Sequence, residues 1–157
     1  MVGYFVSILF LIITLVQLYE QYEVRMQIII DTSAIIAVLL NEASKPAIIQ
    51  ATQKTDLLAP SSIHWEIANA FSAMFKRNRL NLDEALTAIA IYQQIPIRYV
   101  EIELDESLRI AEELSIYAYD AYLLRSAVKY NLPLLTLDQG LIEQAERLGI
   151  KVIEVAQ

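Results

Sequence analysis

From residue 26 onward, short runs of Ile, Val and Leu alternate with longer segments of helical apolar spacing. This alternation constrains the fold more than any other feature. Strand-length apolar runs separated by helix-length segments build βα units around a parallel sheet covered on both faces. The runs predict strands at 27–30, 57–59, 98–101, 134–136 and 151–154, so the expected sheet is parallel with about five strands. Helices are predicted over 34–40, 45–54, from 61 or 62 to 77, from 81 or 83 to 94, and over 106–114, 118–130 and 141–148. Pro46 suits a first helical turn, Asn81 or Asp83 a cap, and Gly149 the position after a helix end. No internal repeat or linker divides 26–157, which reads as one α/β domain.

Residues 1–25 stand apart. Positions 2–18 carry no charge, and an apolar stretch of that length just suffices to cross a hydrocarbon core about 30 Å thick. No Lys or Arg precedes the run and no small-x-small site follows it, which argues against a cleaved secretory signal. Three readings stand: a translation start set too early, with Met26 as the natural beginning of the folded domain, a membrane anchor, or a helix packed on the domain.

Four acidic residues carry the chemistry. Asp31 and Asp138 each end an apolar strand run and precede a helix, where parallel sheets bind ligands. Each is equally well placed to cap its helix. Glu66 and Asp120 are harder to explain structurally. They lie among apolar neighbours, Ile63, Trp65 and Ile67 around one and Tyr119, Ala121 and Leu123 around the other, with no adjacent cation. Buried acids require a partner or a metal. The chain has no Cys and one His, so an acidic oxygen cluster favours a hard cation, Mg²⁺ with Mn²⁺ as the substitute, over zinc. A cation held this way activates water and orients a phosphodiester. The missing cysteines also fit a reducing cytoplasm.

The 19 acidic against 12 basic residues, a formal charge of −7, exclude a passive nucleic-acid coat protein but not a nuclease whose acids are neutralised by metal. An aspartyl-nucleophile phosphotransferase is disfavoured, because Ser33 stands where its second Asp belongs.

The segments Ile30-Asp31-Thr32-Ser33-Ala34, Trp65-Glu66-Ile67-Ala68-Asn69-Ala70, Leu114-Ser115-Ile116-Tyr117-Ala118-Tyr119-Asp120-Ala121 and Leu135-Thr136-Leu137-Asp138-Gln139-Gly140-Leu141 together resemble the PIN-domain family, particularly its VapC-type toxin ribonucleases. Their order and spacing span nearly all of 26–157. The resemblance implies a three-layer α/β/α fold, endoribonuclease activity on RNA, a cognate antitoxin, and a homodimer. It assigns metal binding most directly to Asp31 and Asp120, with Glu66 and Asp138 completing the cluster. Thr32, Ser33 and Thr136 match hydroxylated motif positions that orient a carboxylate or a metal-bound water, or else serve local turns. Glu42 falls where related toxins often carry an acid and is read as a surface residue. A catalytically inactive PIN-like binding or assembly module is the alternative.

His64, two residues from Glu66, points to a different helix face and is not needed as a base. Lys76, Arg77 and Arg79 form a basic cluster at a helix end, suited to RNA phosphates or simply to solvent. Tyr117, Tyr119 and Tyr122 are read as core or dimer-contact residues, with base stacking the alternative.

Overall fold

The computed structural model describes residues 12–14 and 25–155. The expectations for residues 1–25 therefore lie almost wholly outside the described residues. Among those residues, no helix is long and apolar enough to cross a membrane.

Strand β1 (Met26–Ile30) leads into helix α1 (Thr32–Leu39), and α2 (Lys45–Thr52) precedes β2 (Thr55–Pro60). Helices α3 (Ile63–Lys76) and α4 (Leu82–Tyr92) then lead to β3 (Ile97–Val100). Helices α5 (Leu104–Leu114) and α6 (Ala118–Tyr130), strand β4 (Leu134–Leu135) and helix α7 (Gln139–Arg147) complete the order. The sheet runs β3-β2-β1-β4 with every pairing parallel.

Side-chain alternation on β1 divides the interior into two cores. Ile28 and Ile30 pack under α1, α3 and α4 with Ile35, Ile63, Ile67 and Tyr92. Ile29 points to the other side, where Leu58, Leu114, Leu123, Leu124, Leu134 and Ala145 bring in α5, α6 and α7. The result is the three-layer α/β/α arrangement. The segment predicted as a fifth strand is a correction. Val152 makes one isolated bridge to Leu134, because β4 is only two residues long and offers no further partner.

Helix ends follow their local chemistry. Asn81 caps α4 in a capping box, with Glu84 N donating to Asn81 Oδ1 at 3.0 Å and Asn81 N donating to Glu84 Oε2 at 2.9 Å. After α7 the chain turns through Gly149 at φ +69°. On α3 the apolar stripe Ile63, Ile67 and Phe71 is buried. Trp65, expected near that face, is instead 68% exposed, since it lies off the stripe by its helical position.

Candidate acidic site at the strand ends

The chain adds β2 and β3 on one side of β1 and then returns to place β4 on the other. This makes the β1/β4 seam the point where strand order reverses, and a crevice opens outside its carboxyl ends. Asp31 follows β1 there, and Thr136 and Asp138 follow β4. The backbone joins the two ends through Asp31 N donating to Leu135 O at 2.9 Å.

Asp31 is 5% exposed, and its contacts are one-sided. Its Oδ2 accepts from Ser33 N at 3.2 Å, from Thr136 Oγ1 at 2.7 Å and from Ser33 Oγ. All three of these donors fall on Oδ2, and the Thr32 backbone also favours the charged form. The two hydroxyls are themselves fixed by the loop after β4. Leu137 N donates to Ser33 Oγ at 2.9 Å, and Asp138 N donates to Thr136 Oγ1 at 3.1 Å. Asp31 is thus both the N-cap of α1 and a carboxylate gripped chiefly through Oδ2. Asp138 combines roles in the same way. Its Oδ1 caps α7 by accepting from Leu141 N at 3.0 Å, and the residue is exposed. A Cβ added to Gly140 would meet that oxygen at 3.2 Å, so a glycine here leaves the Asp138 carboxylate its space.

Glu66 stands half-buried on the first turn of α3. Ser62 Oγ donates to Oε1 at 3.0 Å and Thr32 Oγ1 to Oε2 at 3.1 Å. Burial pushes its carboxyl up to about 6; the two hydroxyls oppose the shift, while the charges of Asp31 and Asp120 add to it. Asp120, on the first turn of α6, is also raised, first by burial and then by Asp138 and Asp31. Burial likewise raises Asp31 against its hydroxyl donors. Asp31 and Asp120 thus destabilise the ionised form of Glu66, and Asp31 and Asp138 that of Asp120.

Among the described residues, no three acidic or imidazole side chains lie close enough together to enclose a metal ion by themselves. The donor chemistry nevertheless fits a hydrated divalent cation. Mg²⁺ keeps several waters and takes only one or two carboxylates. Asp31, gripped chiefly through Oδ2, and Asp120, with no hydrogen bond to its carboxylate among the described residues, would supply that number.

The other candidates separate from this centre. Thr32, Ser33 and Thr136 all contact cluster carboxylates. Glu42 is exposed on the turn after α1 and is not among the charges that raise Glu66 or Asp120. Lys76, Arg77 and Arg79 lie at the far end of α3, about 15 Å along the axis from Glu66 at 1.5 Å per residue. Tyr117 and Tyr119 are 85% and 41% exposed, so the core reading of these two fails. Each follows the solvent side of the α6 entry, while Ala121, Leu123 and Leu124 take the buried positions. His64 turns toward α4, its Nδ1 lying 2.9 Å from Tyr92 Oη. Sequence reasoning missed Ser62 as a partner of Glu66, although a Ser four residues before an acid at a helix start was the available signal. It also missed the association of His64 with Tyr92 and Tyr99, which no short-range spacing announces.

Coupled carboxylates at the switch point of a three-layer α/β/α sheet define the class as an acid-centred α/β domain. The PIN-domain family profile matches residues 28–148. The chain belongs to the PIN-domain family. It is similar to PAE2754 from Pyrobaculum aerophilum at 27% identity and a TM-score of 0.54, covering 76% of this chain and 86% of that one. It shares its fold with a chain of VapBC2 from Rickettsia felis, solved bound to a DNA fragment from their promoter, at 11% identity, TM-score 0.60 and coverage of 83% and 100%. VapC20 from Mycobacterium tuberculosis, described as a Sarcin-Ricin loop cleaving toxin, is similar at 14% identity, TM-score 0.58 and coverage of 81% and 98%. No curated protein matched the chain.

Proposed function

We propose that this protein is a divalent-metal-dependent endoribonuclease, the toxin of a VapBC-type pair whose antitoxin blocks the acidic crevice. The observation that carries the reading is the mutual influence of the acids: Asp31 and Asp120 act on Glu66, and Asp31 and Asp138 act on Asp120. Family membership and the resemblance in fold to VapBC2 and VapC20 support it.

In this reading Asp31 and Asp120 hold Mg²⁺ or Mn²⁺, and Glu66 and Asp138 complete the negative surroundings. When bound, such a cation supplies charge neutralisation, orientation of the phosphodiester and activation of water. The protein's own groups prepare the place. Ser33 and Thr136 hold Asp31 through Oδ2, and Ser62 and Thr32 hold Glu66. Without neutralisation the four acids repel a phosphate backbone as they repel one another. The substrate class is RNA, and the working unit is a homodimer in the cytoplasm. Residues 26–157 form the PIN unit, and 1–25 are an apolar extension not needed for its chemistry.

Asp31→Asn and Asp120→Asn are expected to abolish Mg²⁺-dependent cleavage of single-stranded RNA while circular dichroism shows the fold retained. Equal cleavage by the parent and both variants, or none with any divalent ion, contradicts the reading. The absence of a three-ligand cluster among the described residues favours one second reading, an inactive PIN-like binding module. Calorimetric metal binding no tighter than millimolar would support that module instead.

A further inference from the structure

On the α3 side of the crevice, three aromatic side chains from three elements are tied into one unit. His64 comes from the first turn of α3, Tyr92 from the last residue of α4, and Tyr99 from β3. Tyr92 is 4% exposed, and its hydroxyl lies 2.9 Å from His64 Nδ1 and 3.5 Å from the Tyr99 hydroxyl. The His64 and Tyr99 rings are 4.5 Å apart at an interplanar angle of 45°, and Tyr92 meets His64 edge-on at 5.7 Å. A buried phenol thus anchors two rings that reach solvent, with His64 exposed and Tyr99 45% exposed. The unit adjoins the acidic site. His64 is two residues from Glu66, whose charge is felt at the Tyr92 hydroxyl.

We propose that Tyr99 and His64 form a stacking platform for one unpaired nucleobase of an RNA whose backbone lies at the carboxylate cluster. This inference rests on the ribonuclease reading above. The chemistry of the patch selects a base rather than a phosphate. The basic group of Lys76, Arg77 and Arg79 lies at the opposite end of α3, and the charge felt at the Tyr92 hydroxyl is that of the acid Glu66. A flat neutral ring is the part of a nucleotide that such a surface accepts. Every base offers a π face, so stacking here tolerates many sequences. Because the rings are already fixed, binding does not have to order them, which preserves affinity. A base already stacked within a duplex is not available to them, so the platform selects single strands.

The test uses full-length protein with all four acids intact, in Ca²⁺ rather than Mg²⁺ to slow turnover, with short single-stranded RNA oligonucleotides and matched oligonucleotides in which one position is abasic. Trp65, the sole tryptophan and 68% exposed, reports binding by fluorescence from the residue next to His64. For Tyr99→Leu in Ca²⁺, Kd is expected to weaken about tenfold. Tyr99→Phe, which keeps the ring, retains the affinity. One abasic position weakens binding to the parent and leaves Tyr99→Leu indifferent. Equal weakening by Leu and Phe, or a Kd that Tyr99→Leu does not change, overturns the platform; the latter outcome assigns the patch to a protein surface. If the protein cleaves RNA in Mg²⁺ and Tyr99→Leu leaves its KM unchanged, the platform falls and the ribonuclease stands. If RNA binds with the predicted abasic pattern but is never cleaved, the ribonuclease falls and the platform stands.

Discussion

The two oxygens of Asp31 have different surroundings, and that difference is the smallest unit of the site. Donors from Ser33 and Thr136 converge on Oδ2, so the rotamer is set before any ligand arrives. Thr136→Val removes one donor at nearly constant shape, and metal affinity is expected to fall about 10- to 100-fold by calorimetry. An unchanged affinity would show that the hydroxyl does not orient the ligand. Glu66 gives a pH signature of definite sign. Its folded carboxyl is raised to about 6 from an ordinary 4.5, so the fold binds that proton more tightly than the unfolded chain does. Its ionisation therefore lowers stability as pH rises from about 4.5 to 6, and the full penalty persists above 6. In metal-free urea unfolding, Glu66→Gln should gain on the parent above pH 6 and lose that relative advantage below 4.5. A difference independent of pH contradicts the assignment. At this scale the sequence showed much. Asp31 and Asp138 were legible as strand-end acids and as caps, and both descriptions hold at once. What stayed hidden depended on distant partners, such as Thr32 reaching Glu66 across 34 residues or Tyr92 holding His64 across 28.

Among the elements, those with a complete local signal were readable and those defined by a neighbour were not. Helix α6 was predicted with its observed bounds, Ala118–Tyr130, because its buried positions repeat at helical spacing. Helix α4 carries its own start signal in Asn81 and Glu84. Asn81→Ala is expected to cost about 1 kcal/mol in denaturant unfolding, without altering metal binding. Gly149 sits at φ +69° with nothing within 4 Å of an added Cβ, so space is not the issue there. Gly149→Ala is expected to cost about 1–2 kcal/mol from the left-handed backbone alone. A neutral result at either position would mean that the end is held by packing instead. The segment after α7 reads as a strand by composition, but pairing needs a partner of matching length. Leu134 supplies only one bridging position, to Val152. Trp65 and Tyr117 show the same limit from the other direction. Large apolar side chains suggest burial in sequence, yet both are mostly solvent-facing beside the crevice.

Across the whole molecule, the strand order β3-β2-β1-β4 sets the β1 and β4 ends that carry Asp31 and Asp138 side by side, with Glu66 and Asp120 close enough to feel their charges. The net charge of −7 then becomes a functional quantity rather than a solubility figure. On the proposed ribonuclease reading a chain this acidic approaches RNA only once its site is neutralised, so RNA affinity should depend more steeply on divalent ion than on monovalent salt. A cation that binds only the folded state also stabilises it, by about 2.7 kcal/mol at a hundredfold excess over Kd. Cleavage of single-stranded RNA across a Mg²⁺ titration, by the parent protein and by Asp120→Asn side by side, tests the central claim most directly. The account predicts saturable Mg²⁺-dependent cleavage by the parent and none by Asp120→Asn, with both proteins folded. Cleavage that ignores Mg²⁺, or that survives in Asp120→Asn at the parent's rate, would contradict it.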